Sequence, residues 1–191
     1  MRIVVTGTSG GIGRAVADAA RAAGHEVTEI NRADFGRGGP LVGSGGVDGV
    51  VFATGTCPVA PVSKTDDALL AGTFAVNCGL FVRLVRELAA EGGFSSSGAR
   101  VVAVSSVSAT EGWPGGVAYC ASKGALSAAC RALDAELRGR GVRVAAVEPR
   151  YVRTRMFEAC AGRMGVPASE AIEPADLAAG IIAMIVDGVG F

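Results

Sequence analysis

The feature that most constrains the fold is a short apolar run, RIVVTG, followed by a glycine-rich turn and then a helix-like segment. Gly7, Gly11 and Gly13 lie where the chain must turn sharply and where an anion could approach the backbone. The helix that follows presents free N–H groups and the positive end of its dipole. Strand, glycine turn and helix in this order predict a dinucleotide site. The alternative is a tight turn that binds nothing, since the spacing is G-x-x-x-G-x-G rather than the commoner G-x-G-x-x-G.

Short apolar segments alternate with helix-like segments along the rest of the chain. Strands are predicted at residues 2–7, 26–31, 47–55, 99–106 and 141–149. Helices are predicted at 11–25, across 64–92 as one long helix or two abutting ones, within the stretch 112–137, and at 174–188 from Pro174. Residues 32–47 are rich in glycine and give no clear helix. Such alternation predicts one doubly wound α/β domain over residues 1–191, a parallel sheet of the Rossmann fold with helices on both faces.

Composition narrows the classes of function. Half of the 191 residues are hydrophobic, the mean hydropathy is +0.42, and 18 basic residues balance 18 acidic ones. A zero net charge gives no broad positive field for nucleic acid. No apolar run reaches about 18 residues, which argues against a membrane span, and the amino terminus lacks a secretory signal pattern. Five scattered cysteines and a single histidine give no metal constellation, so we expect a cytoplasmic protein with reduced thiols.

The end of the second strand bears on the choice of cofactor. An acidic residue there favours a free ribose 2′-hydroxyl, whereas a basic one accommodates a 2′-phosphate. This chain has Asn31 and then Arg32, with Asp34 two residues further on. Asn31 does not repel a phosphate and Arg32 can pair with it, so NADP(H) is favoured over NAD(H). The alternative is that Arg32 is a solvated loop residue.

A tyrosine and a lysine stand four residues apart at the start of the apolar, helix-like run in the stretch 112–137. This spacing places Tyr119 and Lys123 about one turn apart on one face. The pair alone indicates little, because such spacings also arise by chance.

Five ordered matches make the chain resemble the short-chain dehydrogenase/reductase family, as a shortened member. TGTSGGIG is similar to the family's T-G-x-x-x-G-x-G, and Tyr119-x-x-x-Lys123 is similar to its Y-x-x-x-K. VVAVSSVSA resembles the strand end with the family's serine, and the usual thirteen-residue separation from the tyrosine selects Ser106 over Ser105 and Ser108. Asn77 in FAVNCGLF matches the family's helix asparagine, and VEPRYVRTRM is similar to the P-G-x-x-x-T segment.

The resemblance implies an oxidoreductase that interconverts a carbonyl compound and an alcohol by hydride transfer. Tyr119 would donate or accept the proton, and Ser106 would hydrogen-bond the carbonyl oxygen. Lys123 would hold the nicotinamide ribose and, with the charge of the oxidised nicotinamide, lower the pKa of Tyr119. Asn77 would order a water that links Lys123 to solvent.

The resemblance also implies a set of cofactor contacts and partners. Besides Tyr119 and Lys123, the residues implied for the cofactor are Gly7, Thr8, Ser9, Gly11, Ile12, Gly13, Asn31, Arg32, Ala53, Thr54, Gly55, Pro149, Val152 and Thr154. The expected partners are a small carbonyl or alcohol substrate and further copies of the chain, as a dimer or tetramer formed through two long helices. No nucleic acid, membrane or metal is expected.

Three features depart from the family pattern. FATG at residues 52–55 replaces N-N-A-G, and Arg150 replaces the glycine after Pro149. The span between the second and third strands is too short for the usual strand and helix, so Asp34 is only a guess for an adenine contact. The missing helix should leave one face of the sheet poorly covered or covered by a partner, and the chain stops almost as soon as a last strand could begin.

Two other functions remain open at this point. The shortened regions are compatible with a non-catalytic nucleotide-binding or interaction protein, although the complete Asn, Ser, Tyr and Lys set argues against it. A nucleotide-sugar epimerase or dehydratase would share Y-x-x-x-K but generally carries a larger carboxyl-terminal substrate region. The identity of the substrate is not encoded in any pattern that the sequence shows.

Overall fold

The computed structural model describes residues 1–37, 40–43, 45–90 and 92–191, and their side chains except at 163, 164 and 168. The strands are β1 (Arg2–Thr6), β2 (Glu26–Ile30), β3 (Gly49–Phe52), β4 (Ala99–Val104) and β5 (Val142–Val147). The α-helices are α1 (Gly11–Ala22), α2 (Asp67–Phe74), α3 (Leu80–Ala90), α4 (Val117–Leu137), α5 (Arg155–Met164) and α6 (Pro174–Asp187). All strand pairs are parallel, in the order β2-β1-β3-β4-β5. The predicted doubly wound α/β sheet is confirmed.

The sheet is buried on both faces, because successive strand residues point to opposite sides. Val4, Val50 and Val101 point to a core completed by α3 and α4. Ile3, Val51 and Val102 point to a second core completed by α1 and α6. The central strands β1, β3 and β4 therefore read as nearly continuous apolar runs, whereas the edge strand β2, EVTEI, buries only Ile30.

The chain order reverses between β1 and β3. From β1 the chain crosses to β2 on one side, and β3 returns to the other side of β1. A crevice forms at such a reversal, outside the carboxyl ends of the two strands, and it is the usual ligand position in open α/β sheets. Thr6 at the end of β1 is paired in register with Phe52 at the end of β3. The glycine turn and the segment Ala53–Gly55 therefore start side by side.

The shortened connection between β2 and β3 corrects one prediction. Among its described residues, the one helical element is a 3-10 turn, Asp34–Gly36, in line with the lack of a helical pattern in the sequence. The loop nevertheless covers the sheet, because Phe35 is buried in the core with α3 and α4, and Leu41 and Val42 pack against it. Arg83 on α3 donates to the Phe35 carbonyl oxygen at 2.6 Å. The expected exposed face is thus covered by the loop's own side chains.

The predicted helical zone 64–92 forms α2 and α3 with a π-helical turn, Ala75–Gly79, between them. In the described residues, one helical stretch, Asp67–Ala90, is long and apolar enough to pass a length-and-composition test for a membrane span. The core helix of a soluble protein passes the same test. Here Phe81, Leu84 and Leu88 of this stretch are buried against the sheet. After α6, the described residues 188–191 form no further strand.

Candidate active site

The glycine turn packs so tightly that two of its positions exclude any side chain. Gly7 has a φ of +72°, and a Cβ there would lie 2.8 Å from the carbonyl oxygen of Ala53. A Cβ on Gly13 would overlap the Gly7 carbonyl. At Gly11, a Cβ would lie 2.7 Å from Cγ2 of Thr154, which is the N-cap of α5. The three glycines bring the turn against β3 on one side and against α5 on the other.

Helix α1 begins without a capping side chain. Its N-cap is Gly10, no side chain accepts from the first-turn N–H groups, and the first turn carries no acidic residue. Those N–H groups face a groove lined by Ser9, Ile12 and Gly13 among others. Uncapped N–H groups and the positive helix end suit a phosphate anion.

Two predicted cofactor residues lie behind the groove and brace it. The Asn31 amide oxygen accepts from the Ser9 backbone N–H at 3.1 Å, and its nitrogen donates to the Thr8 hydroxyl at 3.3 Å. Thr8 is 1% exposed. Asp34 accepts from the Asn31 backbone N–H at 2.7 Å and pairs with Arg37 at 2.6 Å. Asn31 and Thr8 therefore hold the turn, and Asp34 fixes Asn31 rather than facing the groove.

Two arginines give the groove a positive rim. Arg32 lines the groove and, among the described residues, makes no ion pair. Arg155 lines it from the start of α5 and donates to the Ser9 carbonyl oxygen at 3.1 Å. Arg155 belongs to the basic run Arg150, Arg153 and Arg155, for which the sequence leaves open an acidic substrate, the cofactor phosphates or simple solvation, and the structure places this member of the run on the groove.

The FATG segment forms the floor between the groove and a second cavity. The Thr54 hydroxyl donates to the Thr6 hydroxyl oxygen at 2.9 Å, and this oxygen also accepts from the backbone N–H groups of Ala53 and Thr54. These bonds tie β1 to the end of β3 where the family shows asparagines. A Cβ on Gly55 would lie 3.8 Å from the Lys123 amine and 3.5 Å from Oδ1 of Asn77. Gly55 therefore stands beside the predicted catalytic residues.

Asn77 is fully buried in the π-helical turn and joins three elements. Its amide nitrogen donates to the Thr56 carbonyl at 2.9 Å and to the Ser122 hydroxyl at 2.8 Å, and its oxygen accepts from the Thr56 N–H at 2.7 Å. Both amide N–H groups are thus engaged within the protein. In the Asn77 side chain, only the oxygen can form a further hydrogen bond, as an acceptor from the water that the resemblance implies.

The structure separates the three serines at the end of β4. Ser106 lies beside Tyr119, where it offsets part of the rise in the pKa of the phenol, and its hydroxyl oxygen accepts from the Ser108 N–H at 3.1 Å. Ser105 instead donates to the Lys123 backbone carbonyl at 3.1 Å. Ser108 accepts from Nε1 of Trp113 at 3.2 Å. Of the three serines, Ser106 is the one that influences the Tyr119 phenol, and its catalytic role stays a prediction.

Lys123 is buried, and its amine donates to the Val104 carbonyl oxygen at 2.7 Å. The amine lies 5.7 Å from the centre of the Tyr119 ring. Burial lowers the pKa of Lys123 to about 8, because removal from water disfavours the ammonium. A lysine with this pKa gains and loses protons close to neutral pH.

The expected lowering of the Tyr119 pKa involves the charge of the oxidised nicotinamide as well as Lys123 and stays a prediction, since the chain by itself has the opposite direction. Burial, followed by the nearby Cys57 thiol, raises the pKa of Tyr119 above its usual value, and the Ser106 hydrogen bond offsets only part of this. The Lys123 amine is directed at Val104 instead of the phenol oxygen. The protein alone therefore holds Tyr119 as a neutral phenol.

A cavity in front of Ser106, Tyr119 and Lys123 adjoins the groove. The groove and the cavity share the lining residues Ile12, Ala53, Gly55, Thr154 and Met156, so the two spaces lie side by side between the glycine turn and Tyr119. Pro149 and Val152 line the cavity, and Val152 is also held by an isolated bridge to Ile172. The sequence-predicted Asn77 does not line it.

Four aromatic side chains line the cavity. One further lining residue, Cys57, was not predicted from the sequence. The rings of Trp113 and Tyr119 lie 6.3 Å apart, and those of Tyr151 and Phe157 lie 5.7 Å apart. Cys57 and Cys160 also line it, and the Cys160 thiol donates to the Cys57 carbonyl at 3.7 Å. Cys57 comes two residues after Gly55 at the carboxyl end of a strand, which was a usable signal. In the described residues, no cluster of three or more His, Cys, Asp or Glu could hold a metal.

Comparison with known proteins places this geometry in a family. Residues 42–187 match the family model described as enoyl-(acyl carrier protein) reductase. A curated relative, an uncharacterised short-chain type dehydrogenase/reductase of Sinorhizobium fredii, is 28% identical over 87% of this chain. The match covers 35% of that relative, so the chain spans about a third of its length.

Solved structures share the fold. A putative NAD(P)-dependent gluconate 5-dehydrogenase from Beutenbergia cavernae, with bound NADP, is 26% identical with a TM-score of 0.78, over 95% of this chain and 88% of that one. A 4-hydroxyisoleucine dehydrogenase mutant complexed with NADH and succinate has a TM-score of 0.84 at 21% identity, over 100% of this chain and 93% of that one. At this lower identity the likeness shows the fold alone. Together with the family match over most of its length, these findings show that the chain belongs to the short-chain dehydrogenase/reductase family.

Proposed function

We propose that the chain is an NADP(H)-dependent oxidoreductase that interconverts a ketone or aldehyde with the corresponding alcohol, acting as one domain over residues 1–191. The observation that carries the proposal is that the groove at the uncapped start of α1 adjoins the cavity lined by Ser106, Tyr119 and Lys123 and shares lining residues with it. A dinucleotide laid along the groove would bring its nicotinamide end beside Tyr119. The family's general dehydrogenase/reductase activity supports this reading.

The residues present fit a nicotinamide dinucleotide. The uncapped N–H groups of α1 suit its phosphates, and the close approach of Gly7 to Ala53 keeps the crevice free of side chains. The unpaired Arg32 on the groove rim supports NADP(H) over NAD(H), since a guanidinium forms charge-assisted hydrogen bonds with a 2′-phosphate. When bound, the cofactor supplies or accepts the hydride.

The proton chemistry belongs to this chain's own side chains. Ser106 and Tyr119 both present hydroxyls to the cavity, where they can hydrogen-bond a substrate carbonyl oxygen and stabilise the negative charge that develops on it. Tyr119, kept as a neutral phenol, is in the form that donates a proton in the reducing direction. Lys123, with a pKa of about 8, stands behind it and can pass protons near neutral pH. Asn77 acts by fixing the Thr56 loop and α4 at Ser122.

The proposal is tested by mixing the purified chain with NADPH or NADH and a panel of ketones and aldehydes. We expect cofactor oxidation with some member of the panel, faster with NADPH than with NADH. With cofactor deuterated at C4, the deuterium should appear on the carbinol carbon of the product. A chain that binds the cofactor but oxidises it with no carbonyl compound would instead be a non-catalytic nucleotide-binding protein. Self-association through the long helices, and a cytoplasmic location, stay predictions.

A further inference from the structure

The three arginines after β5 occupy three different environments. Arg155 lies on the groove rim with the Ser9 carbonyl. Arg153 pairs with Glu173 at 2.5 Å and does not line the Tyr119 cavity. Arg150 does line that cavity, together with Ser106, Tyr119 and Trp113. Sequence alone could not separate them, because all three stand in one run.

The cavity has a positive lining. Among the described residues that line it, two side chains are basic, Lys123 and Arg150, and none is acidic. The amine of Lys123 is buried and donates to the Val104 carbonyl oxygen, so its charge lies below the surface of the cavity. Arg150 is the cation that an entering molecule would meet among otherwise mainly apolar and aromatic walls.

The present partner of Arg150 is exchangeable. Its guanidinium pairs with Glu111 at 2.8 Å, and both side chains are more than half exposed. Such exposed ion pairs are weak, because water screens both charges, so a second carboxylate can compete with Glu111. The guanidinium also lies 6.0 Å from the centre of the Tyr151 ring, which keeps it against the cavity wall. A guanidinium fork matches a carboxylate in a bidentate way.

We propose that the substrate carries a carboxylate, which Arg150 binds while the reacting carbonyl lies against Ser106 and Tyr119. Arg150 would thus set specificity for oxo acids and hydroxy acids over their neutral analogues. This inference rests on the proposed function, because it names the substrate class of the same site. The fit of the spacing is open to test, since the distance between carbonyl and carboxylate can be varied in the probe.

The test compares oxo acids with their methyl esters as substrates: pyruvate, acetoacetate and levulinate, each against its ester. With NADPH in excess, we expect kcat/KM for the best acid to exceed that for its ester by about tenfold or more, the change that one charge-assisted contact supplies. Arg150→Gln should bring the ratio close to one through a rise in the acid's KM, and Arg150→Lys should restore part of it. Glu111→Gln should lower the acid's KM, because it removes the competing carboxylate.

Controls separate this inference from the proposed function. Arg153→Gln removes another exposed, acid-paired arginine of the same segment and should leave the acid-to-ester ratio unchanged. NADPH affinity should be unaltered in Arg150→Gln, and a loss there would assign Arg150 to the cofactor and overturn the inference. Equal turnover of acid and ester also overturns it, while leaving the oxidoreductase proposal intact.

Binding can be followed without turnover. Trp113 is the single tryptophan of the chain and lines the cavity, so its fluorescence reports occupancy. In a Tyr119→Phe variant loaded with NADPH, acids should change this fluorescence at lower concentrations than esters, and Arg150→Gln should abolish the difference. If acids and esters act alike, or neither acts at millimolar concentrations, the inference is wrong even if the chain reduces other carbonyl compounds.

Discussion

The glycine groove and the tyrosine cavity lie side by side, yet they are built in different ways. The groove is shaped by backbone and by missing side chains, as at Gly7 and Gly13. The cavity is shaped by side chains whose behaviour depends on burial, as at Tyr119 and Lys123. Steric requirements of the first kind are visible in residue spacing. Electrostatic properties of the second kind arise only when distant segments have packed.

Removal of the Ser106 hydroxyl should lower kcat strongly and leave the affinity of the groove for NADPH almost unchanged. For Ser106→Ala we expect kcat to fall about 10²–10³-fold, because a hydrogen-bond donor to the developing oxyanion is lost. NADPH affinity, measured by fluorescence titration, should be unchanged. Ser108→Ala is the matched control, since Ser108 contacts Trp113 instead of Tyr119. A kcat for Ser106→Ala close to wild type would break the assignment.

A methyl group in the groove should produce the converse pattern. In Gly13→Ala the new Cβ meets the Gly7 carbonyl, so the turn must shift. We expect unfolding free energy to fall by about 1–3 kcal/mol and NADPH affinity to weaken by tenfold or more. Urea unfolding and cofactor titration measure both. Gly72→Ala, where a Cβ meets nothing within 4 Å, should cost no stability; a Gly13→Ala variant that behaves the same way would contradict the steric account.

The lowered pKa of Lys123 predicts a stability change with pH. The folded state releases this proton at about pH 8 and the unfolded state near 10.5, so between these values the unfolded chain binds more protons and stability rises with pH. Relative to Lys123→Met, wild type should gain about 1–2 kcal/mol between pH 7.5 and 9.5. Burial raises the pKa of Cys57, Cys78 and Cys130, which acts in the opposite direction, so the difference between the two proteins is the readout. Parallel curves would show that the amine is hydrated.

The smallest expected effect concerns cofactor choice at the groove rim. Arg32→Gln should weaken NADPH binding about tenfold, through loss of a charge-assisted contact, and leave NADH binding unchanged. Arg37→Gln is the control, because Arg37 is also an exposed arginine of this loop but is paired with Asp34. If Arg32→Gln weakened the binding of NADPH and of NADH equally, Arg32 would not be the residue that binds the 2′-phosphate.

The contrast between the two regions explains what could be predicted from the sequence. The glycine spacing and the apolar strands indicate the sheet and the groove, because both depend on local geometry. The packing of Phe35 against α3 and α4 could not be predicted, because the loop has no periodic pattern. Phe35 is buried by residues that are distant from it in the sequence. The pairing of Arg150 with Glu111 joins residues 39 apart in sequence.

The same reasoning applies to the protonation of Tyr119. The four-residue spacing places Lys123 on the correct face but does not show that its amine bonds to the Val104 carbonyl. The spacing likewise gives no sign of Cys57, which reaches the phenol from another loop and raises its pKa. Motif spacing therefore identifies the residues of the cavity more readily than their charge states.

Tyr119 transfers a proton in the cavity, while the cofactor is held mainly by the groove, so loss of the phenol hydroxyl should affect turnover far more than cofactor affinity. The most direct measurement is kcat and the NADPH dissociation constant of Tyr119→Phe, determined on the same preparation as wild type. We predict that kcat falls about 10²–10⁴-fold, as expected for loss of a general acid, with the dissociation constant unchanged. Turnover at the wild-type rate in Tyr119→Phe would contradict the account.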